Sequence, residues 1–322
     1  MPFAPVLDVL LDLDLVLVTG KGGVGKTFLA AAFAHEAARV GARPLLVSLG
    51  PSAPFELLFG VRLGPEPVGL GDGIEGVALD PEHTVPRALA TILGSERMAR
   101  AAHRNRALRS FLDAAPGVPE LAAWAAIEGF VTQREFGLRR FHPVVVDMDA
   151  SGHAAMMLDV PAVLRPFAGR GPLDALVGAV ERRLAAASTG ALLVSLPAPL
   201  VVEETLSLYD ALVGRLGILV AATVINRMPD PPLPAVAPAR LDALAEHGAA
   251  RDRAIAADLW YAHRELRRFA SQVEAARSLA AAVDAPTATV PEVADPQART
   301  SLARAGRALA ETSVTFFEEV EP

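Results

Sequence analysis

One octet near the start limits what this chain can fold into. Gly20-Lys21-Gly22-Gly23-Val24-Gly25-Lys26-Thr27 fits the pattern G-x-x-x-x-G-K-[ST]. The apolar run Leu13, Leu15, Val16, Leu17 and Val18 before it reads as a buried strand. After it, Lys26 to Val40 reads as a helix, with Leu29, Ala32, Phe33, Ala37 and Val40 on one face and Gly41 as its stop. A glycine loop between a strand and a helix offers backbone N–H groups at a helix N-terminus to a phosphate chain. In that arrangement Lys26 reaches the β- and γ-phosphates and the Thr27 hydroxyl reaches Mg²⁺.

The remainder alternates strand and helix patterns. Residues 1–12 read as a short leading helix, Pro44–Leu49 as a second strand, and residues 50–73 as a Gly- and Pro-rich loop with a short helix at Phe55–Phe59. A brief strand is expected at Gly76–Leu79, followed by a helical region at about 84–140 that Pro116 to Pro119 divides in two. Its Arg97, Arg100, Arg104, Arg106 and Arg109 read as a solvated face, with anion or partner binding as the alternative. Further strands are expected at Pro143–Met148, Leu192–Leu196, Ile218–Ile225 and Thr287–Val290. Helices are expected at Glu203–Leu216, Arg251–Val283 (with Trp260 and Phe269 as core) and Ser301–Glu311. Prolines at 229–238 read as a stiff linker. The expected fold is α/β: an open, mostly parallel sheet with helices on both faces and a helical subregion, one P-loop domain over 1–322.

Composition excludes several chemistries. Hydrophobic residues make up 52% of 322, with two Trp and two Tyr, which suits a helix-rich α/β core rather than an all-β one. The net charge of −7 indicates no general affinity for nucleic acid or anionic lipid. The chain has no cysteine, so disulfides, cysteine-zinc sites, thiol catalysis and iron–sulfur ligation are excluded. No basic n-region precedes the first apolar run, and prolines and charges interrupt every stretch of membrane-spanning length. A soluble, cytoplasmic protein without direct membrane insertion is expected.

Val144-Val145-Val146-Asp147 is an apolar strand ending in acid, the place where a sheet of this kind carries its Mg²⁺-binding carboxylate. An Asp in that position can also be a simple turn former.

Two features carry a resemblance. Lys21, inside the octet, gives K-G-G-V-G-K-T, similar to the deviant phosphate loop of the ParA/MinD, nitrogenase iron-protein and ArsA-like ATPases. Asp147-Met148-Asp149-Ala150-Ser151-Gly152-His153 with Leu158-Asp159-Val160-Pro161 resembles the D-T-A-P-T-G-H segment of ArsA-like ATPases, which include arsenite-pump subunits and GET-type factors for tail-anchored proteins. Leu196-Pro197-Ala198-Pro199, Glu203-Glu204-Thr205, Val224-Ile225-Asn226-Arg227, Pro116-Gly117 with Glu120, and Val290-Pro291 extend the likeness over about residues 5–310.

The resemblance implies an ATP- and Mg²⁺-binding dimeric switch. Gly20 to Thr27 and Phe28 would line the phosphates, Thr27 and Asp147 would hold the metal, and Lys21 would cross to the partner subunit's nucleotide. Asn226 would bond the adenine, and the Val290–Val293 loop with Pro291 would cover it; Asn226 also reads as a strand-end cap.

The departures bear on turnover. The first-switch Asp that orients the attacking water is Gly50 here, and Phe28 stands where a hydroxyl is usual. A glycine cannot position a nucleophile, so hydrolysis is expected to be weak or lost. Asp149 replaces a small residue in the second switch; it can take over as water orienter or repel the γ-phosphate. Lys21, Lys26 and Asp149 are thus the candidate catalytic residues. The alternative reading is a non-hydrolysing regulatory subunit paired with an active ArsA-like paralogue, as a heterodimer rather than a homodimer; the protein partner is unidentified. A third is a ParA/MinD-like positioning ATPase, against which the acidic ending Phe316 to Glu321 counts. Residues 162–190 contain no methionine, Met156 and Met157 are expected in the core, and tail-anchor delivery draws little support.

Overall fold

The computed structural model describes residues 4–50, 52–95, 97, 117–148, 151–232 and 253–311, and of residues 151–153 and 253–256 the backbone alone. The chain opens with α1 (Val6–Leu11); β1 (Leu15–Gly20) then leads through the glycine loop into α2 (Lys26–Arg39) and β2 (Leu45–Ser48). Next come α3 (Ala53–Phe59), β3 (Val68–Gly71), β4 (Ile74–Ala78), α4 (Pro81–Leu93) and α5 (Val118–Thr132). The hairpin β5 (Arg134–Glu135) and β6 (Leu138–Arg139) precedes β7 (Val144–Asp147), α6 (Ser151–Ala168) and α7 (Pro172–Leu184). The last part holds β8 (Thr189–Ser195), α8 (Pro199–Asp210, continued by a π-helical turn Ala211–Arg215), β9 (Val220–Met228), α9 (Arg253–Ala282), β10 (Thr287–Pro291) and α10 (Arg299–Ala310).

Eight strands form one sheet in the order β10-β9-β8-β1-β7-β2-β4-β3, parallel except for the β3–β4 pair. Every residue of β1, β2 and β8 is buried, as expected of parallel strands covered on both faces. Side-chain alternation sorts the strands into two cores. Leu15, Leu17, Val144, Val146, Leu45 and Val47 face one core, with Trp124, Ile127 and Leu279 from α5 and α9. Val16, Val18, Val145, Leu46, Leu192 and Val194 face the other, with Leu29 and Phe33 of α2 and Leu302 of α10. Full burial of each such side chain is worth about 1.5–3 kcal/mol. The carboxyl ends of β1, β2, β7 and β8 are thereby held as a rigid floor.

The structure departs from the sequence expectations in several elements. Val68–Gly71, within the segment read as loop, is an antiparallel edge strand on β4. The span 84–140 ends not in helix but in a hairpin, whose turn places Phe136 and Gly137 at positive φ. Strand β9 runs on through Asn226 to Met228. Trp260, expected in the core, is 59% exposed, with the Arg264 guanidinium 5.2 Å from its ring centroid. The expected core position holds for Phe269, which packs against the first core, and for Met157, which is buried. Met156 is exposed instead: adjacent helical residues point about 100° apart, so the pair cannot share one face. Arg100, Arg104, Arg106, Arg109, Pro116, Asp149, the linker from 233 to 238 and the acidic ending lie outside the described residues. No described helix is long and apolar enough to cross a membrane.

Candidate functional site

The site is built where four strand ends meet. Register sets Val18 of β1 and Ser48 of β2 opposite Asp147 of β7, and Gly20 opposite Val194 of β8. The chain leaves β1 at Gly20, turns over the exposed Gly22 and Gly23, buries Val24, and enters α2 at Gly25, whose φ of 94° is left-handed. No side chain caps α2, so its first N–H groups face the loop's concavity. Lys26 Nζ donates to the carbonyls of Gly20 at 3.1 Å and Lys21 at 3.2 Å. Thr27 Oγ1 donates to Asp147 Oδ2 at 2.6 Å. These two residues are distant in sequence, and parallel pairing of β1 with β7 is what joins them.

Neighbouring elements brace the loop. Asn226, 4% exposed at the end of β9, donates from Nδ2 to Val24 O at 2.8 Å and accepts from Arg227 N at 2.9 Å. Its amide lies so close that a Cβ on Gly25 would stand 2.4 Å from Nδ2. A Cβ on Gly20 would stand 2.3 Å from Val194 O, so only glycine lets β1 turn off beside β8. Lys21 Nζ of the loop lies 2.5 Å from Glu204 Oε2 of α8.

A cavity of about 410 Å³ opens in front of the loop, lined by Gly23, Gly25, Lys26, Thr27, Phe28, Gly50, Asp147 and Met148, with Pro54, Leu57 and Leu58 of α3 on one wall. Arg227, at a φ of 54°, and Pro296 with Gln297 complete it. Among the described residues lining it, Asp147 is the only carboxylate. A second cavity, about 290 Å³, lies past the end of β9, between Met228, Pro229, Thr289, Pro291, Arg304 and Arg307.

The oxygen set suits Mg²⁺. A threonine hydroxyl and a carboxylate converge on one point, and hard oxygen donors are what this cation takes. No cluster of three His, Asp or Glu able to hold a metal occurs among the described residues. That fits Mg²⁺, which commonly takes one or two carboxylates and fills its remaining positions with water and phosphate.

Of the candidates named from the sequence, Gly23, Gly25, Lys26, Thr27, Phe28 and Asp147 share the first cavity. Asn226 sits beneath the loop and Pro291 in the second cavity. Asp149 lies outside the described residues. Sequence reasoning passed over Glu204 as an ion-pair partner, Arg227, and the Leu57–Leu58 wall. The signal available for the wall was a short helix bearing adjacent leucines, which cannot share one helical face.

The chain is similar in sequence to known ATPases. Residues 13–171 match the model of a family described as anion-transporting ATPase. ATPase BagA of Mycobacterium tuberculosis is 29% identical over 220 residues, covering 66% of this chain and 64% of that protein. ATPase GET3 of Malassezia globosa is 30% identical over 169 residues, 50% of this chain and 47% of that protein. The arsenical pump-driving ATPase of Escherichia coli is 28% identical over 158 residues, 48% of this chain and 26% of that protein. The matches thus span less than two thirds of each of these relatives.

Proposed function

The chain belongs to the ArsA-like family of P-loop ATPases, and from that premise we propose that it is a Mg²⁺-ATP-binding dimeric switch with weak or lost ATP hydrolysis. The observation that carries the reading is the meeting of Thr27 Oγ1 with Asp147 Oδ2 at 2.6 Å, beside Lys26 and an uncapped helix N-terminus.

In this reading the N–H groups from Gly22 to Thr27 cradle the phosphate chain. Lys26 exchanges its two carbonyl acceptors for β- and γ-phosphate oxygens. Thr27 and Asp147 hold Mg²⁺, which when bound neutralises charge on those phosphates. The second cavity, where Pro291 lies beside Met228, receives the adenine. Lys21 serves the nucleotide of the partner subunit. The cargo or partner is a protein; a chain without cysteine has no thiolates for arsenite.

Weak hydrolysis follows from the lining. Gly50 brings no side chain to the cavity, and Asp147 is engaged by Thr27. No other described carboxylate lines the cavity to orient a water, and Asp149 is the candidate replacement. The same observation favours a second reading, a non-hydrolysing half of a heterodimer with an active ArsA-like paralogue.

Single-turnover hydrolysis of γ-labelled ATP, with binding measured in parallel and Lys26→Ala as the blank, tests both. Slow turnover that drops on Asp149→Asn supports the switch ATPase. Binding without turnover supports the regulatory half. Absence of Lys26-dependent binding overturns both.

A further inference from the structure

Lys21 already has a counter-ion in its own chain. Its Nζ lies 2.5 Å from Glu204 Oε2, and the two side chains are 37% and 45% exposed. The carboxylate is carried on a well-anchored helix. Thr205, next to it, is buried; its hydroxyl bonds Val201 O at 2.7 Å and shares a 2.9 Å hydrogen bond with Ser195 Oγ at the end of β8. Strand β8 in turn pairs with β1, setting Val194 opposite the first glycine of the loop. Lys21 is accordingly held outside the group of residues that line the phosphate-side cavity.

We infer that Glu204 is a positioning residue that holds Lys21 by its ion pair and competes with nucleotide phosphates for its charge. The inference rests on the ATP-binding reading above. The ammonium group is a point charge on a flexible stem, so it exchanges one anion for another without rearranging the backbone. A polyphosphate carries more charge than one carboxylate and wins at sufficient concentration. A half-exposed ion pair is weak, so Glu204 sets a threshold for nucleotide engagement rather than a block.

A double-mutant cycle decides the matter. The dissociation constant of a fluorescent ATP analogue with Mg²⁺ is measured at low ionic strength for the full chain, Glu204→Gln, Lys21→Ala and the double variant, with Glu204→Ala as a second test of the carboxylate. The expected result is about two- to fivefold tighter binding for both Glu204 variants, in keeping with an exposed ion pair. That gain should vanish in the Lys21→Ala background and fade as salt is raised. Unchanged or weaker binding by the Glu204 variants, or an equal gain without Lys21, overturns the inference while leaving ATP binding intact. Failure of the unmodified chain to bind in a Lys26-dependent way overturns the ATP-binding reading, and the inference with it.

Discussion

A Cβ built on Gly50 meets no heavy atom within 4 Å, and its φ lies outside the left-handed region. The position therefore accepts a Cβ without strain. Gly50→Asp is expected to fold normally and, under the proposed reading, to raise single-turnover ATP cleavage about tenfold or more, because it supplies a side chain that can orient the attacking water; unchanged turnover would count against that part of the reading. Gly20 is the opposite case: with Val194 O at 2.3 Å from the added carbon, Gly20→Ala should cost about 1–3 kcal/mol in urea unfolding. Asn226→Ala removes the donor to Val24 O and should likewise cost about 1–3 kcal/mol, since the carbonyl it leaves is buried. Lys26, Thr27 and Asp147 were legible as residues because each belongs to a local pattern, an octet or a strand ending in acid. The braces were not. Asn226 and Val24 are 202 positions apart, and no periodicity in either segment announces their hydrogen bond.

At the scale of elements, the long helix α9 behaves as two halves. Its carboxyl-terminal half buries Val273, Ala276 and Leu279, whereas the half bearing Trp260 and Tyr261 is largely exposed. Leu279→Ala should destabilise by about 2–5 kcal/mol through the cavity it leaves. Trp260→Ala should change stability by less than about 0.5 kcal/mol. Fluorescence gives an independent check: with Trp124 buried and hydrogen-bonded to Met157 O, a Trp124→Phe chain should show the red-shifted, quencher-accessible emission of Trp260 alone. Amphipathic spacing marked α9 as a helix correctly, but a periodic face says only that something could cover it. The edge strand β3 and the β5–β6 hairpin escaped notice for a related reason. Each is four residues or fewer per strand, and Val68–Gly71 contains two glycines, so composition pointed to loop while pairing with β4 made it strand.

For the whole molecule, the proposed ligand would touch segments that are far apart in the chain: the loop, Gly50 and α3, the end of β7, Arg227, and Pro296 with Gln297. Binding to such a site is linked to global unfolding. Mg²⁺-ATP at one hundred times its dissociation constant should raise the unfolding free energy by about 2.7 kcal/mol. The increase should be absent in Lys26→Ala and reduced when EDTA removes the metal, as read by urea midpoints. The fold class, the glycine loop and the acid at the end of β7 were legible in the sequence alone, because each depends on short-range chemistry: buried strands alternate or run apolar, glycines permit the loop, and a strand end sets its acid at the rim. Tertiary structure decided the order of the strands, hence that Asp147 meets Thr27, that Asn226 supports the loop from below, and that Glu204 reaches Lys21. Those contacts arise from the lateral packing of elements distant in the chain, and a linear pattern carries no term for which neighbours the folded sheet will bring together.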